Sequence, residues 1–192
     1  MDAFALIRGK YKENDPEYTQ AKTSRFHEYL LGYDFSGSLI IFTSRSIYFL
    51  VSSKKKLILE SIEKPKGINC PDVNIVLSSP NDDNTSKIQG IFERILKDEN
   101  KSKINVGYIK EEKGIGKSVE EFYKVVENNK NIIMKDAPFF IDEILGIKDD
   151  IELNAINISS RYSCFLLDYI VKDFESIIED GKNVAHDKIV GN

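Results

Sequence analysis

Apolar and polar positions follow two different rhythms along this chain. Residues 29–56, YLLGYDFSGSLIIFTSRSIYFLVSSKKK, hold two nearly continuous apolar runs separated by a short polar joint. Unalternating runs rich in β-branched and aromatic residues predict strands buried on both faces, here over 39–42 and 47–51. The Ser44-Arg45 joint is short enough for an antiparallel turn. Before it, residues 19–31 predict a helix stopped by Gly32, with Phe26, Tyr29 and Leu30 on one side.

Beyond the hairpin, residues 54–60 predict a short helix. Pro65, Gly67 and Pro71 mark a loop, and 73–77 a strand. Turn residues then deliver the chain into an amphipathic helix carrying Ile88, Ile91, Phe92, Ile95 and Leu96, followed by a strand at 104–109. Ser118-Val-Glu-Glu121 has capping-box spacing, so a helix burying Val119, Phe122, Tyr123 and Val126 is expected to start there. A strand at 131–134 and a short helix at 138–145, ended by Gly146, complete the alternation. It predicts an α/β fold in which a mixed β-sheet is flanked by helices.

From Asp149 the rhythm changes. Ile151, Ala155, Ile158, Tyr162, Phe165, Tyr169, Phe174 and Ile177 recur every three or four residues, the mark of one long helix, which Gly181 closes. The change separates an α/β part from a trailing long helix, a division that the resemblance described below sets at residues 1–147 and 148–192. So little sequence after so long a helix suggests a piece of a larger protein.

Composition narrows the function classes. With 192 residues, 41% of them hydrophobic, the chain can bury a sizeable core, which sets disorder aside. The longest apolar run is interrupted at Thr43, Ser44, Arg45 and Ser46, too soon for a membrane span. The first 22 residues lack a signal-peptide pattern, so an intracellular protein is expected. Cys70 and Cys164 have no CxxC companion and read as reduced, inert thiols. A net charge of -4 argues against a sequence-specific nucleic-acid binder and favours a basic partner.

Candidate chemistry is sparse. Gly114-Ile-Gly-Lys-Ser118 matches the end of a P-loop, but Glu111 stands where the pattern needs glycine, and a capped helix start is the better account. His27 has no ligand-spaced neighbour and reads as an ordinary helix residue. His186 beside Asp187 makes a poor chelate. No catalytic, cofactor-binding or metal-binding residue is assigned. Lys54, Lys55 and Lys56, with Lys64 and Lys66, read as a solvated stop after a buried strand. The acidic group Asp142, Glu143, Asp149, Asp150 and Glu152 could attract a cationic partner, although carboxylates at a helix start also serve the dipole.

The hairpin carries a resemblance. Leu30-Leu-Gly-Tyr-Asp-Phe35, Ile40-Ile-Phe-Thr43, Ile47-Tyr-Phe-Leu50 and Ser53-Lys-Lys55 resemble the N-terminal domain of the large subunit of the FACT histone chaperone. Asn81-Asp-Asp83, Val106-Gly107 and residues 139–152 resemble the same family at similar spacing. Tyr29 stands where that family would have Trp, an exchange between aromatics at a position expected to be buried.

The resemblance implies the smaller lobe of a pita-bread aminopeptidase or creatinase-like domain, with the long helix opening the second lobe. It implies a non-catalytic module without cofactor that binds core histones in nuclear chromatin during transcription, replication and DNA repair. An HMG-box small subunit would be held through other domains of the full-length protein. On the same resemblance, the five acidic residues named above are the guessed histone contacts. Two alternatives stay open: the N-terminal lobe of an active metal-dependent aminopeptidase, whose ligands would lie beyond this chain, or a structural interaction domain for replication and transcription factors.

Overall fold

The structure is a computed structural model, and it describes residues 1–9, 21–60, 62, 70–79, 81–112 and 114–185. Predictions that involve Pro65, Gly67, Lys64, Lys66, His186 and Asp187 lie outside the described residues. The chain divides into two compact units, Met1–Leu145 and Gly146–Asn192.

The first unit is a six-stranded mixed sheet with the order β4-β3-β2-β1-β5-β6. Its strands are β1 (Ala3–Arg8), β2 (Ser38–Thr43), β3 (Ser46–Val51), β4 (Asp72–Leu77), β5 (Ile104–Tyr108) and β6 (Ile132–Asp136). Only β2 runs against the others, because it forms a hairpin with β3 and also pairs antiparallel with β1. The remaining neighbours are parallel. The hairpin turn is held locally, the Ser46 amide donating to the Thr43 hydroxyl at 2.9 Å.

Helices cover both faces, which is why the strands at the centre are apolar without alternation. On one face α3 (Thr85–Asp98) and α4 (Lys117–Asn128) bury Ile88, Ile91, Phe92, Ile95 and Phe122 against Ala5, Ile7, Leu39, Ile41 and Leu50. Each such fully buried side chain contributes roughly 1.5–3 kcal/mol. On the other, α1 (Lys22–Leu31), α2 (Ser53–Leu59) and α5 (Phe140–Gly146) bring Phe26, Leu59 and Ile141 onto Phe4, Leu6, Ile40, Phe49 and Val51.

Several expectations need correcting. The central strand β1 was not anticipated. Its sequence, AFALIR, is weak in intrinsic β preference, but two flanking strands and two helix layers bury all six residues. The helix at Ser118 has no capping box, for α4 begins at Lys117 behind Gly116, with no side-chain cap. Gly146 is the last helical residue of α5, whereas Gly32, with φ 68°, does cap α1 in the left-handed conformation. Tyr29 is not a core residue: it is 49% exposed and stacks on Phe26 with ring centroids 6.5 Å apart.

The second unit is built on α6 (Asp150–Glu179), a helix of 30 residues. Its capping box is real and lies at Asp149 and Glu152. The helix ends at Gly181, whose φ of 63° lets Lys182 donate its amide back to the Ile177 carbonyl at 3.0 Å. Ile151, Tyr162, Phe165 and Tyr169 on this helix are exposed.

Candidate interaction surface

The acidic residues singled out in the sequence fall into two groups, one in each unit. Asp142 and Glu143 stand in the first turn of α5, where a carboxylate complements the helix dipole. Asp142 is already engaged, accepting from Lys22 Nζ at 2.5 Å, and the same ammonium donates to the Pro138 carbonyl. Glu143 is exposed and has no charged partner among the described residues.

In the second unit Asp149 Oδ1 accepts the Glu152 amide at 2.8 Å, and Glu152 Oε2 accepts the Asp149 amide at 3.1 Å. Lys148 approaches the Glu152 carboxylate at 3.7 Å. These two carboxylates therefore close a helix start. Asp150 is exposed, with no charged partner among the described residues. Of the five, Glu143 and Asp150 are the two whose carboxylates take part in no hydrogen bond or ion pair among the described residues.

A larger ionic cluster had no sequence signal. Arg8, at the end of β1, is fully buried, and its Nε and Nη2 donate to the two Asp34 carboxylate oxygens at 3.0 and 2.7 Å. Ser24 donates its hydroxyl to Asp34 at 2.9 Å, and His27 Nδ1 lies 3.3 Å from the other oxygen. Burial opposes ionisation of Asp34, but the bonds from His27, Arg8 and Ser24 outweigh it and hold the carboxyl well below the usual range. Burial also lowers the pKa of His27, against the pull of Asp34, so the imidazole is neutral near pH 7.

His27 lies in α1 as expected, but it is fully buried and belongs to this cluster. Arg8 Nε and Nη2, the Ser24 hydroxyl and His27 Nδ1 converge on Asp34, and Ser24 bonds Asp34 and not His27, so no nucleophile and base are paired in this cluster. The cluster ties β1, α1 and the Gly-Tyr-Asp-Phe turn together.

The glycine-rich loop has a structural explanation as well. Gly114, with φ 62°, passes so close to Gly9 that a Cβ on either would come within about 2.7 Å of the other's loop backbone. Lys117, at the loop's end, donates to the Asp82 carbonyl at 2.6 Å and lies 3.7 Å from Glu121. Glu112, next to the Glu111 that breaks the P-loop pattern, accepts the Lys22 and Thr23 amides at 2.7 and 2.8 Å and so caps α1.

Behind the loop lies a cleft of about 440 Å³ lined by Ser52, Ser78, Asn84, Lys117, Ser118 and Glu121. Its buried carboxylate, Glu121, accepts from the Asn84 backbone amide at 3.0 Å and from Asn84 Nδ2 at 3.2 Å. Asn84 and Glu121 of this cleft bond each other and the neighbouring backbone. Among the described residues no group of three or more His, Cys, Asp or Glu is placed to hold a metal ion. Cys70 and Cys164 are free and exposed, and no described helix is long and apolar enough to cross a membrane.

Comparison with known proteins adds the family. A FACT complex subunit SPT16 from Mycosarcoma maydis is 28% identical over 98% of this chain, which spans 18% of that relative's length. The SPT16 of Arabidopsis thaliana is 29% identical over 88% of the chain. The solved N-terminal domain of SPT16 from chickpea, Cicer arietinum, shares the fold at a TM-score of 0.72 and 23% identity, with 98% of this chain and 42% of that one covered. The family model of the FACT complex subunit SPT16 N-terminal lobe domain matches residues 1–136, and so the chain belongs to that family.

Proposed function

We propose that this chain is part of a non-catalytic, histone-binding module of a FACT complex, working in nuclear chromatin as nucleosomes are taken apart and rebuilt during transcription and replication. The observation that supports this most is the family match over residues 1–136. An HMG-box small subunit is proposed to be held by other parts of the full-length protein, since this chain spans 18% of the Mycosarcoma maydis relative.

Core histones are cationic, and exposed carboxylates would steer them and set their orientation more than they would add affinity. Glu143 and Asp150 are the proposed contacts, with Asp142, Asp149 and Glu152 as their local support. The test is a titration of the chain with each kind of core histone pair, purified separately, at physiological salt. Saturable binding that weakens about tenfold in the Glu143→Lys/Asp150→Lys variant is expected. Undiminished binding by that variant removes the acidic contacts, and absence of binding to every histone pair removes the histone reading for this chain.

A further inference from the structure

Lys22 is the first residue of α1, and its backbone and side chain are held by different parts of the first unit. Its amide donates to Glu112 at 2.7 Å, which serves the helix start in place of a side-chain cap at Ala21. Its ammonium reaches residues 138–142, at the start of α5. The helix end is therefore fixed whether or not the side chain keeps its place.

The ammonium meets three kinds of partner there. It donates to Asp142 at 2.5 Å and to the Pro138 carbonyl at 3.2 Å, and it lies 5.8 Å from the centre of the Phe139 ring. The turn bonds that open α5 use the Ala137 and Phe139 carbonyls, which leaves the Pro138 carbonyl to the ammonium. A carboxylate, a carbonyl and the face of an aromatic ring are together the groups that recognise an ammonium ion.

The surroundings carry the matching charge. Glu112 at the Lys22 amide and Glu143 beside Asp142 are further carboxylates, and the Lys22 ammonium is the one cation bonded to any of the three among the described residues. The arrangement is also open to solvent: the side chains of Lys22 and Asp142 are 38% and 46% exposed, and Phe139 is 71% exposed. An ion pair so exposed favours its closed form by roughly fivefold or less.

We propose that Asp142, Phe139 and the Pro138 carbonyl form a receptor for a lysine side chain of a basic partner protein, held closed in the free chain by Lys22. The proposal rests on the reading of this chain as a binder of basic protein, and it names the group of the partner that is received. The incoming ammonium takes over the three contacts that Lys22 gives up, while Lys22 swings into water from a backbone that Glu112 keeps in place. Because the exposed pair is weak, Lys22 lowers affinity severalfold without shutting the site. Acetylation of the partner's lysine removes the charge on which all three contacts depend.

The test uses the whole chain and a fluorescein-labelled peptide of alternating glycine and lysine, beside the same peptide with its lysines acetylated. The lysine peptide is expected to bind saturably and the acetylated peptide not. Lys22→Met should tighten binding of the lysine peptide about three- to fivefold. Arg25→Met removes an exposed charge one turn along α1 and leaves the receptor closed, so it should tighten binding by less than about twofold. Adding Asp142→Asn or Phe139→Leu to Lys22→Met should cancel most of the gain, and the second of these changes no charge. All four positions lie outside the core.

Equal tightening by Lys22→Met and Arg25→Met would reduce the effect to net charge and overturn the proposal. So would a gain that survives Phe139→Leu, equal binding of the two peptides, or no saturable binding up to about 1 mM. Titrating the same variants with purified core histone pairs separates the receptor from the histone reading. Histone pairs that bind the unsubstituted chain and Lys22→Met alike overturn the receptor and leave that reading intact. A gain for the lysine peptide with no binding of any histone pair upholds the receptor and overturns the reading.

Discussion

Arg8 and Asp34, 26 positions apart in sequence, meet as a bidentate ion pair with the guanidinium fully buried and the shortest contact at 2.7 Å. Removing one partner strands the other charge, whereas replacing both with apolar residues avoids that penalty. Asp34→Ala should therefore cost about 3–5 kcal/mol, and Arg8→Met/Asp34→Leu markedly less. Urea denaturation of both variants measures this. A double variant as unstable as the single one would show that the pair is net stabilising and not merely costly to break.

His27 gives the fold an acid-side weakness. Burial lowers its folded pKa below the ordinary 6.5, so just below pH 6.5 the unfolded chain binds a proton that the folded chain does not. Stability therefore falls as pH falls from about 6.5 toward the folded value. Asp34 adds a second loss: its depressed folded pKa stabilises the protein above the ordinary 3.8, and that contribution fades as pH drops through 3.8. His27→Gln should flatten the stability profile between about pH 7 and pH 5, as read from thermal melts, while leaving the loss at lower pH. A profile unchanged by the substitution would put the acid sensitivity elsewhere.

Two residues of α4 separate the capping box expected from the sequence from the bonds that Glu121 makes to Asn84 instead. Ser118 makes no cap bond, so Ser118→Ala should change stability by less than about 0.5 kcal/mol, where a capping serine would cost about 1. Glu121 is buried and accepts both the amide and the side chain of Asn84. Glu121→Ala should cost about 1–3 kcal/mol, because it leaves buried donors unmet. Denaturant midpoints for the two variants in that order support the assignment, and the reverse order refutes it.

These clusters also explain what the sequence could reveal. The hairpin was legible because strands buried on both faces write continuous apolar runs, as in Leu39–Ile40–Ile41–Phe42. The helices α3 and α4 were legible by their period. β1 was hidden because a short strand with two alanines is a strand only by virtue of its neighbours. Asp34, Glu112 and Glu121 each serve a partner far away in the chain, with Glu112 and Lys22 90 positions apart, and pairings of that kind have no periodic trace. For the same reason the acidic cluster could be seen as composition, while the engagement of Asp142 by Lys22 could not.

Two glycines should respond in opposite directions to the same added methyl group. Gly90 lies inside α3, has no positive φ, and a Cβ built on it meets nothing within 4 Å. Alanine there restricts the unfolded chain without crowding the folded one, so Gly90→Ala should stabilise by about 0.5–1 kcal/mol. Gly114 has φ 62°, and its Cβ would lie 2.7 Å from the Gly9 Cα, a backbone atom that cannot swing aside. Gly114→Ala must strain its own backbone and push the glycine-rich loop off the end of β1, and it should destabilise by more than Gly90→Ala gains. For a chain of this size 1 kcal/mol moves the melting midpoint by about 2–4 °C, so thermal melts resolve the two. If Gly114→Ala melts at or above the unsubstituted chain, close packing against Gly9 is not what requires glycine in this loop.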